Sequence, residues 1–363
     1  MSRPTQRSVT RLTARLTALL ALAASGGLVA QNAREGAEPP RGSLERIEVH
    51  GSSLEGNLEG DDATRNVFVY LPPSYGEERT RRYPVVYFLH GYMVGADAYV
   101  RFLGLPDSAD EAIAGGAREV IVVLPDAYTV HGGSMYSSSP TIGDWEGYVA
   151  RDLIAHIDAR YRTIPRRESR GLSGHSMGGY GTMRIGMKHP EAFSSLYAMS
   201  ACCLMIDPAR GGDAVSRAAA ERDEDAESAG SAPADFLARA QSAQAAAWAP
   251  NPDNPPQYFD LPFGDGELRP LIHAKWLANA PLVMVDQYVP NLGRYRAIAI
   301  DVGDSDPLGA DNVRLDAALT RLGIEHEFEE YEGDHMNRVG ERFQDHVLPF
   351  FSREFDFGAP VGR

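Results

Sequence analysis

The stretch Ser169-Arg-Gly-Leu-Ser-Gly-His-Ser-Met-Gly-Gly-Tyr180 decides how the rest of this 363-residue chain is read. Inside it, Gly174-His-Ser-Met-Gly178 has the Gly-x-Ser-x-Gly spacing of a nucleophile elbow, a sharp strand-to-helix turn with serine at its apex. Backbone angles at such a serine are strained, at a cost of roughly 1–3 kcal/mol. Glycine is needed two residues to either side because side chains there would collide across the turn. The helix that follows aims its first N–H groups at the place where an oxyanion would form. With 36 glycines in the chain, the five-residue pattern alone arises by chance about 0.2 times, so its flanks decide. A strand-like run ends at Leu172, and Gly179 to Lys188 reads as a helix stopped by His189-Pro190.

Outward from the elbow, strands and helices alternate. Leu44–His50, Arg65–Leu71, Tyr83–Gly91 and Glu119–Asp126 read as strands before it, the last two as apolar runs buried on both faces. Tyr148–Tyr161 has helical spacing, with Val149, Leu153, Ile154 and Ile157 on one face. After the elbow come strands at Ser194–Ala201, Arg294–Gly303 and Glu325–Tyr331, a helix at Asp311–Leu322 and a final amphipathic helix at Val339–Phe355. The pattern predicts an α/β class with a mostly parallel sheet covered on both faces. Residues 202–290 interrupt the rhythm as a long insertion over the carboxyl edge of that sheet. Its Ala209–Ala247 part reads as exposed helix or loop.

The first thirty residues differ from the rest. Arg3, Arg7, Arg11 and Arg15 stand without acidic partners before the apolar run Ala18–Ala30, the pattern of a secretory signal peptide. The run is too short for a transmembrane span, so export to a secreted or periplasmic location is expected, without stable membrane insertion. A polar linker at 31–43 then precedes a catalytic domain at 44–363. Hydrophobic residues make up 43% of the chain, enough for a sizeable core, and the net charge of −15 argues against a nucleic-acid partner. Oligomeric state is not legible. Cys202 and Cys203 are adjacent, with Cα atoms about 3.8 Å apart. A usual disulfide spans roughly 4.4–6.8 Å, so two buried thiols at a strand end are expected, and the spacing fits no metal site. No cofactor is expected.

A serine hydroxyl needs a base, and the base an orienting acid, in the chain order Ser, Asp or Glu, His. His335 lies just past the last strand beyond a glycine turn, and so is the expected base for Ser176. Asp301, Asp304, Asp306 and Asp311 crowd the end of the preceding strand. Asp301 reads as structural and Asp311 as a helix N-cap. Asp306 follows the strand by enough residues to turn back toward His335, with Asp304 as the second choice. The N–H groups of Tyr92 and Met177 are the expected oxyanion donors. Met93 and the side chains of Tyr92, Trp145, Tyr258 and Phe263 are candidates to line a substrate pocket, with Ser137–Pro140 bordering it.

Leu89-His-Gly91, Tyr161-Arg-Thr163, Ser169-Arg-Gly171, Gly174-His-Ser-Met-Gly-Gly-Tyr180, His189-Pro-Glu-Ala-Phe193 and Gly333-Asp-His335 together resemble the esterase D-like family. That group includes S-formylglutathione hydrolases, feruloyl and acetyl-xylan esterases and mycolyltransferases. The likeness runs from about Arg65 to Phe351, and implies an α/β-hydrolase fold and acyl-ester chemistry. It favours Asp306, because the family's acid follows a strand as Gly-x-x-Asp, here Gly303-Asp-Ser-Asp306. The insertion at 202–290 departs from the compact cytosolic thioesterases of the group. The function expected is a secreted serine esterase that forms an acyl-enzyme on Ser176 and acts on a small-molecule or carbohydrate-linked ester. Two alternatives stand beside it. An acyltransferase would use the same residues with a sugar or lipid alcohol as acceptor. A non-catalytic binding protein on this fold would be expected to have lost a member of the triad.

Overall fold

Eight strands form one sheet in the computed structural model, which describes residues 41–206, 231–264 and 267–358. The expected signal peptide and nearly all of the linker lie outside those residues, as does much of the Ala-rich part of the insertion. The strands are β1 (Ser43–His50), β2 (Thr64–Leu71), β3 (Val85–Leu89), β4 (Ile121–Pro125), β5 (Arg170–His175), β6 (Ser195–Met199), β7 (Ala297–Gly303) and β8 (Glu327–Tyr331). Their order across the sheet is β1-β2-β4-β3-β5-β6-β7-β8. Only the β1–β2 and β2–β4 pairs are antiparallel; every later pair is parallel. This is the α/β-hydrolase architecture.

The apolar run of β3 shows why the sheet is covered on both sides. Val85, Tyr87 and Leu89 point into one core with Met177, Tyr180 and Trp145. Val86 and Phe88 point into the other, with Tyr99, Phe343 and Phe350. Successive residues of a strand face opposite sides, so a strand that is apolar throughout needs two partners. Each fully buried side chain of this kind contributes roughly 1.5–3 kcal/mol. The helices used below are α1 (Ala96–Leu103), α2 (Met177–Lys188), α3 (Ser231–Trp248) and α4 (Gly309–Arg321).

All the expected strands are present; β1 and β2 begin one residue earlier, the elbow strand β5 runs on past Leu172 to His175, and the others are shorter by one to three residues at their ends. The helices depart more. The expected Tyr148–Tyr161 helix begins at Trp145 and passes through a π-helical turn at Tyr148–Asp152 before ending at Arg160. The final helix is likewise interrupted at Phe343–Val347. Asp311 is not an N-cap: α4 starts at Gly309 behind Leu308, which leaves Asp311 in the first turn. There a carboxylate still suits the helix dipole.

The insertion packs on α2. Trp248 at the end of α3 meets the Tyr180 ring at 5.5 Å and the Trp276 ring at 5.5 Å. Tyr180 Oη donates to the Asn279 carbonyl, and just beyond the insertion Tyr295 Oη donates to that of Gly186. Ser139 Oγ donates to the Ala246 carbonyl and Trp248 Nε1 to Ser137 Oγ. The serine-rich loop therefore grips α3. Among the described residues, no helix is long and apolar enough to cross a membrane, and no group of three or more His, Cys, Asp or Glu could hold a metal ion.

Candidate active site

Because β5, β7 and β8 run parallel, their carboxyl ends open on the same edge of the sheet, and each is followed there by one of the expected site residues. Ser176 sits between β5 and α2 with φ 58° and ψ −114°. That is the strained geometry the elbow requires, held by bonds from Ser176 N to the Met199 carbonyl and from Cys202 N to the Ser176 carbonyl. The flanking glycines answer to backbone. A Cβ on Gly174 would lie 2.5 Å from Gly178, and one on Gly178 would lie 1.9 Å from the Leu89 carbonyl oxygen. The clash at Gly178 is thus with the neighbouring strand, not only across the turn.

His335 and Asp306 meet in the loops after β8 and β7. The two loops are stitched together: Asp304 N donates to the Tyr331 carbonyl, Ser305 N to that of Gly333, and Gly333 N to Asp304 Oδ1. Asp306 Oδ2 lies 2.8 Å from His335 Nδ1, and Asp306 Oδ1 accepts from Leu308 N at 2.8 Å. On the other side of the imidazole, Nε2 stands 3.0 Å from Ser176 Oγ. A carboxylate accepts only, so Nδ1 carries the proton and Nε2 is left to accept from the serine hydroxyl. Burial pushes the Asp306 carboxyl up, but the bonds from His335 and from the Leu308 amide outweigh it and hold the group below the usual carboxylate range. The Asp306 side chain is fully buried, whereas Ser176 and His335 are half-buried.

Asp304 does not touch the imidazole; it holds the loop that carries it. Asp301 is fully buried in β7 and accepts from Tyr197 Oη and Arg342 Nε, each at 2.9 Å, which fits the structural reading of it.

Gly91 packs against the serine, an added Cβ there lying 3.5 Å from Ser176 Cβ. The peptide that links Gly91 to Tyr92 is aimed by His90. Ala127 N donates to His90 Nε2 at 2.8 Å, so the imidazole proton is on Nδ1, which donates to the Gly91 carbonyl at 2.8 Å. In a planar trans peptide the next N–H points the opposite way, and fixing the Gly91 oxygen fixes the direction of the Tyr92 N–H. Met177 begins α2, where the first four amides lack intrahelical partners.

The expected lining residues separate. Tyr92 is half-buried, donates from Oη to the His131 carbonyl, and meets the ring of Phe236 on α3 at 5.5 Å. Met93 lies beside it, its N–H on the Gly132 carbonyl. Trp145 is not in a cleft: it is 1% exposed, donates from Nε1 to the Ile142 carbonyl, and packs on Tyr148 and Arg65. Tyr258, with φ 57°, is held by its own backbone bonds to Asn254, Asn251 and Thr141. Phe263 lies in a two-residue hairpin strand with Glu267–Leu268. No contact in the described residues joins either of them to Ser176.

Phe236 and His90 are the residues missed in the sequence. A histidine closing an apolar strand directly before glycine was a readable sign; a single phenylalanine in an Ala-rich run was not. The cysteines are free, as expected, but half-buried rather than buried, with sulfurs 2.7 Å apart. They converge because Cys203 adopts φ 58°.

A sequence model of the family described as "Putative esterase" matches residues 62–346. The Mycobacterium tuberculosis protein named Esterase Rv1288 is 32% identical over 137 residues, which are 36% of this chain and 27% of that protein. The alignment thus spans about a quarter of the curated relative. Among solved structures, one named ferulic acid esterase superposes with a TM-score of 0.62 at 20% identity, covering 88% of this chain and all of that one. An S-formylglutathione hydrolase from Agrobacterium tumefaciens superposes with a TM-score of 0.58 at 17% identity, covering 88% and 98%.

Proposed function

Since the chain belongs to the esterase family, we propose that it is an exported serine ester hydrolase that cleaves a small-molecule carboxylic ester through an acyl-enzyme on Ser176. The observation that carries the assignment is the unbroken line from Ser176 Oγ through His335 to Asp306, at 3.0 and 2.8 Å. In this scheme the Oγ–H proton passes to His335 Nε2 as Oγ attacks the ester carbonyl. The Tyr92 and Met177 amides receive the oxyanion. His335 then gives the proton to the departing alcohol, and water, activated the same way, releases the acid. Asp306 holds the Nδ1–H tautomer and stabilises the imidazolium.

Tyr92, which follows the Gly91 that packs on the serine, and Phe236 form an aromatic wall. That wall suits a planar aromatic acyl group, such as those of the ferulic acid and sinapinate named for two structural neighbours. Export is supported by the basic, then apolar, first thirty residues. The test is hydrolysis of p-nitrophenyl acetate and methyl ferulate by the wild type and Ser176→Ala, with fluorophosphonate labelling. The wild type is expected to turn over and to label on Ser176, and the variant to do neither. A wild type inert to every ester and to the label would overturn the reading.

A further inference from the structure

Immediately before the serine stands His175, which the scheme above does not use. It is 1% exposed, and both its ring nitrogens have partners. Nε2 lies 2.8 Å from the backbone carbonyl of His335, and Nδ1 lies 2.6 Å from Tyr99 Oη. A carbonyl only accepts, so Nε2 carries the proton; Nδ1 of the neutral ring must then accept, and the tyrosine hydroxyl donates to it. Tyr99, on α1, is also 1% exposed, and its hydroxyl lies against Gly91, where an added Cβ would come within 2.5 Å of it. Gly91 opens the segment whose next N–H is the Tyr92 donor. The His175 ring lies against the His335 ring, centroids 4.7 Å apart, with Phe102 behind it.

Two requirements of the chemistry meet here. The imidazole of His335 is bonded at both nitrogens, yet its backbone sits on a loop, and reacting groups must be held to within about 0.5 Å. His335 also becomes a cation in each cycle, so a ring packed against it has to stay neutral. Burial drives the His175 ring down to about 3, with the nearby His335 adding to the fall, so it carries no charge at working pH. Polar partners buried this fully give one tautomer and one orientation.

We propose that His175 and Tyr99 are positioning residues: a buried relay that clamps the His335 carbonyl, and so holds the base on Ser176, in register with the Gly91–Tyr92 segment. The proposal rests on the reading of Ser176 and His335 given above. A merely structural pair would lower stability and leave turnover by the folded enzyme unchanged.

The experiment compares His175→Leu, His175→Gln and Tyr99→Phe in the full chain on p-nitrophenyl acetate, with kcat and KM resolved and folded protein quantified by circular dichroism. Glutamine places an amide N–H where Nε2 stands and can still donate to the His335 carbonyl; leucine cannot. Misplacing a reacting group by about 1 Å costs about 100-fold in rate. His175→Leu is therefore expected to lose about 100-fold in kcat with KM within about threefold, His175→Gln to recover about tenfold of that, and Tyr99→Phe to lose about tenfold. A folded His175→Leu enzyme with wild-type kcat, or a glutamine variant no faster than leucine, overturns the relay. If His175→Leu does not fold, wild-type kcat in Tyr99→Phe overturns it alone. Ser176→Ala and His335→Ala run alongside: if these retain activity, it is the assignment of nucleophile and base that fails, not the clamp.

Discussion

Asp306 Oδ2 lies 2.8 Å from His335 Nδ1, whereas Asp304, two residues earlier on the same loop, bonds the Gly333 amide at 3.1 Å. Proximity in the chain therefore hides a division of labour. Asp306→Asn would offer its neighbour the wrong hydrogen-bonding partner and favour the wrong tautomer, and kcat is expected to fall on the order of 10⁴-fold. Asp304→Asn keeps an oxygen for Gly333 and should leave kcat within about tenfold. Steady-state kinetics of the two variants on one p-nitrophenyl ester check this; equal losses would reverse the assignment.

Strain at Ser176 gives a second expectation. Its φ of 58° is held at roughly 1–3 kcal/mol, while glycine loses only about 0.5–1 kcal/mol more chain entropy on folding. Relief of strain wins. Ser176→Gly should be inactive yet melt at a higher temperature than the wild type in a thermal scan, and a lower midpoint would count against strain at this residue.

Gly178 leaves no such latitude. The methyl of Gly178→Ala would meet the Leu89 carbonyl at 1.9 Å, a backbone atom of a central strand. The change is expected to destabilise by more than about 3 kcal/mol and to abolish turnover. Denaturant unfolding measures the first and esterase assay the second.

A buried charge cluster sets the acid limb of stability. Glu146, with a side chain 3% exposed, faces Arg184 at 2.9 Å, Lys188 at 2.6 Å and His189 at 3.7 Å. Burial raises its pKa, but His189, Arg184 and Lys188 together overcome this and bring it down to about 2. A carboxyl depressed in the folded state contributes stability that is fully present above its unfolded value, near 4.5, and is lost as pH falls toward 2. That contribution is about 3 kcal/mol. Glu146→Gln should therefore lower stability at pH 7 by about 3–5 kcal/mol and flatten its pH dependence between about 4.5 and 2. Urea midpoints across that range are the measurement.

The side-chain wall can be tested apart from the backbone donors. Phe236→Ala removes a ring 5.5 Å from Tyr92 without touching the serine or its partners. KM for an aromatic acyl ester should rise by about tenfold while KM for an acetyl ester moves little. Equal effects on both esters would remove Phe236 from the acyl pocket.

How much of this was legible followed from what each signal depends on. The strands were readable because a sheet covered on both faces demands unbroken apolar runs, as in Val85–Leu89. Ser176 and His335 were placed by spacing and by position after a strand, both properties of chain order. Trp145 was misplaced because a large aromatic near polar loop residues has the same local pattern whether it lines a cleft or fills a core. Only its bond to the Ile142 carbonyl and its packing tell which. Phe236 was invisible for the opposite reason: helix α3 has no strong apolar face, and its approach to Tyr92 is a long-range contact. The contacts by which His90 aims the Gly91–Tyr92 peptide and Asp304 holds Gly333 are to backbone groups brought together by the fold, and no residue type advertises a backbone group.

The base hangs from the margin of the sheet. Strand β8 pairs only with β7, so the loop that carries His335 hangs from an edge strand, which the final helix holds through Arg342 and Glu329 and through Arg353 and Glu327. Edges open locally before a fold melts globally. Fraying of this one strand would carry His335 off the serine while the other seven strands stayed paired. Catalysis would then fade on warming before cooperative unfolding begins, and the rim of the molecule, rather than its centre, would set the enzyme's working ceiling.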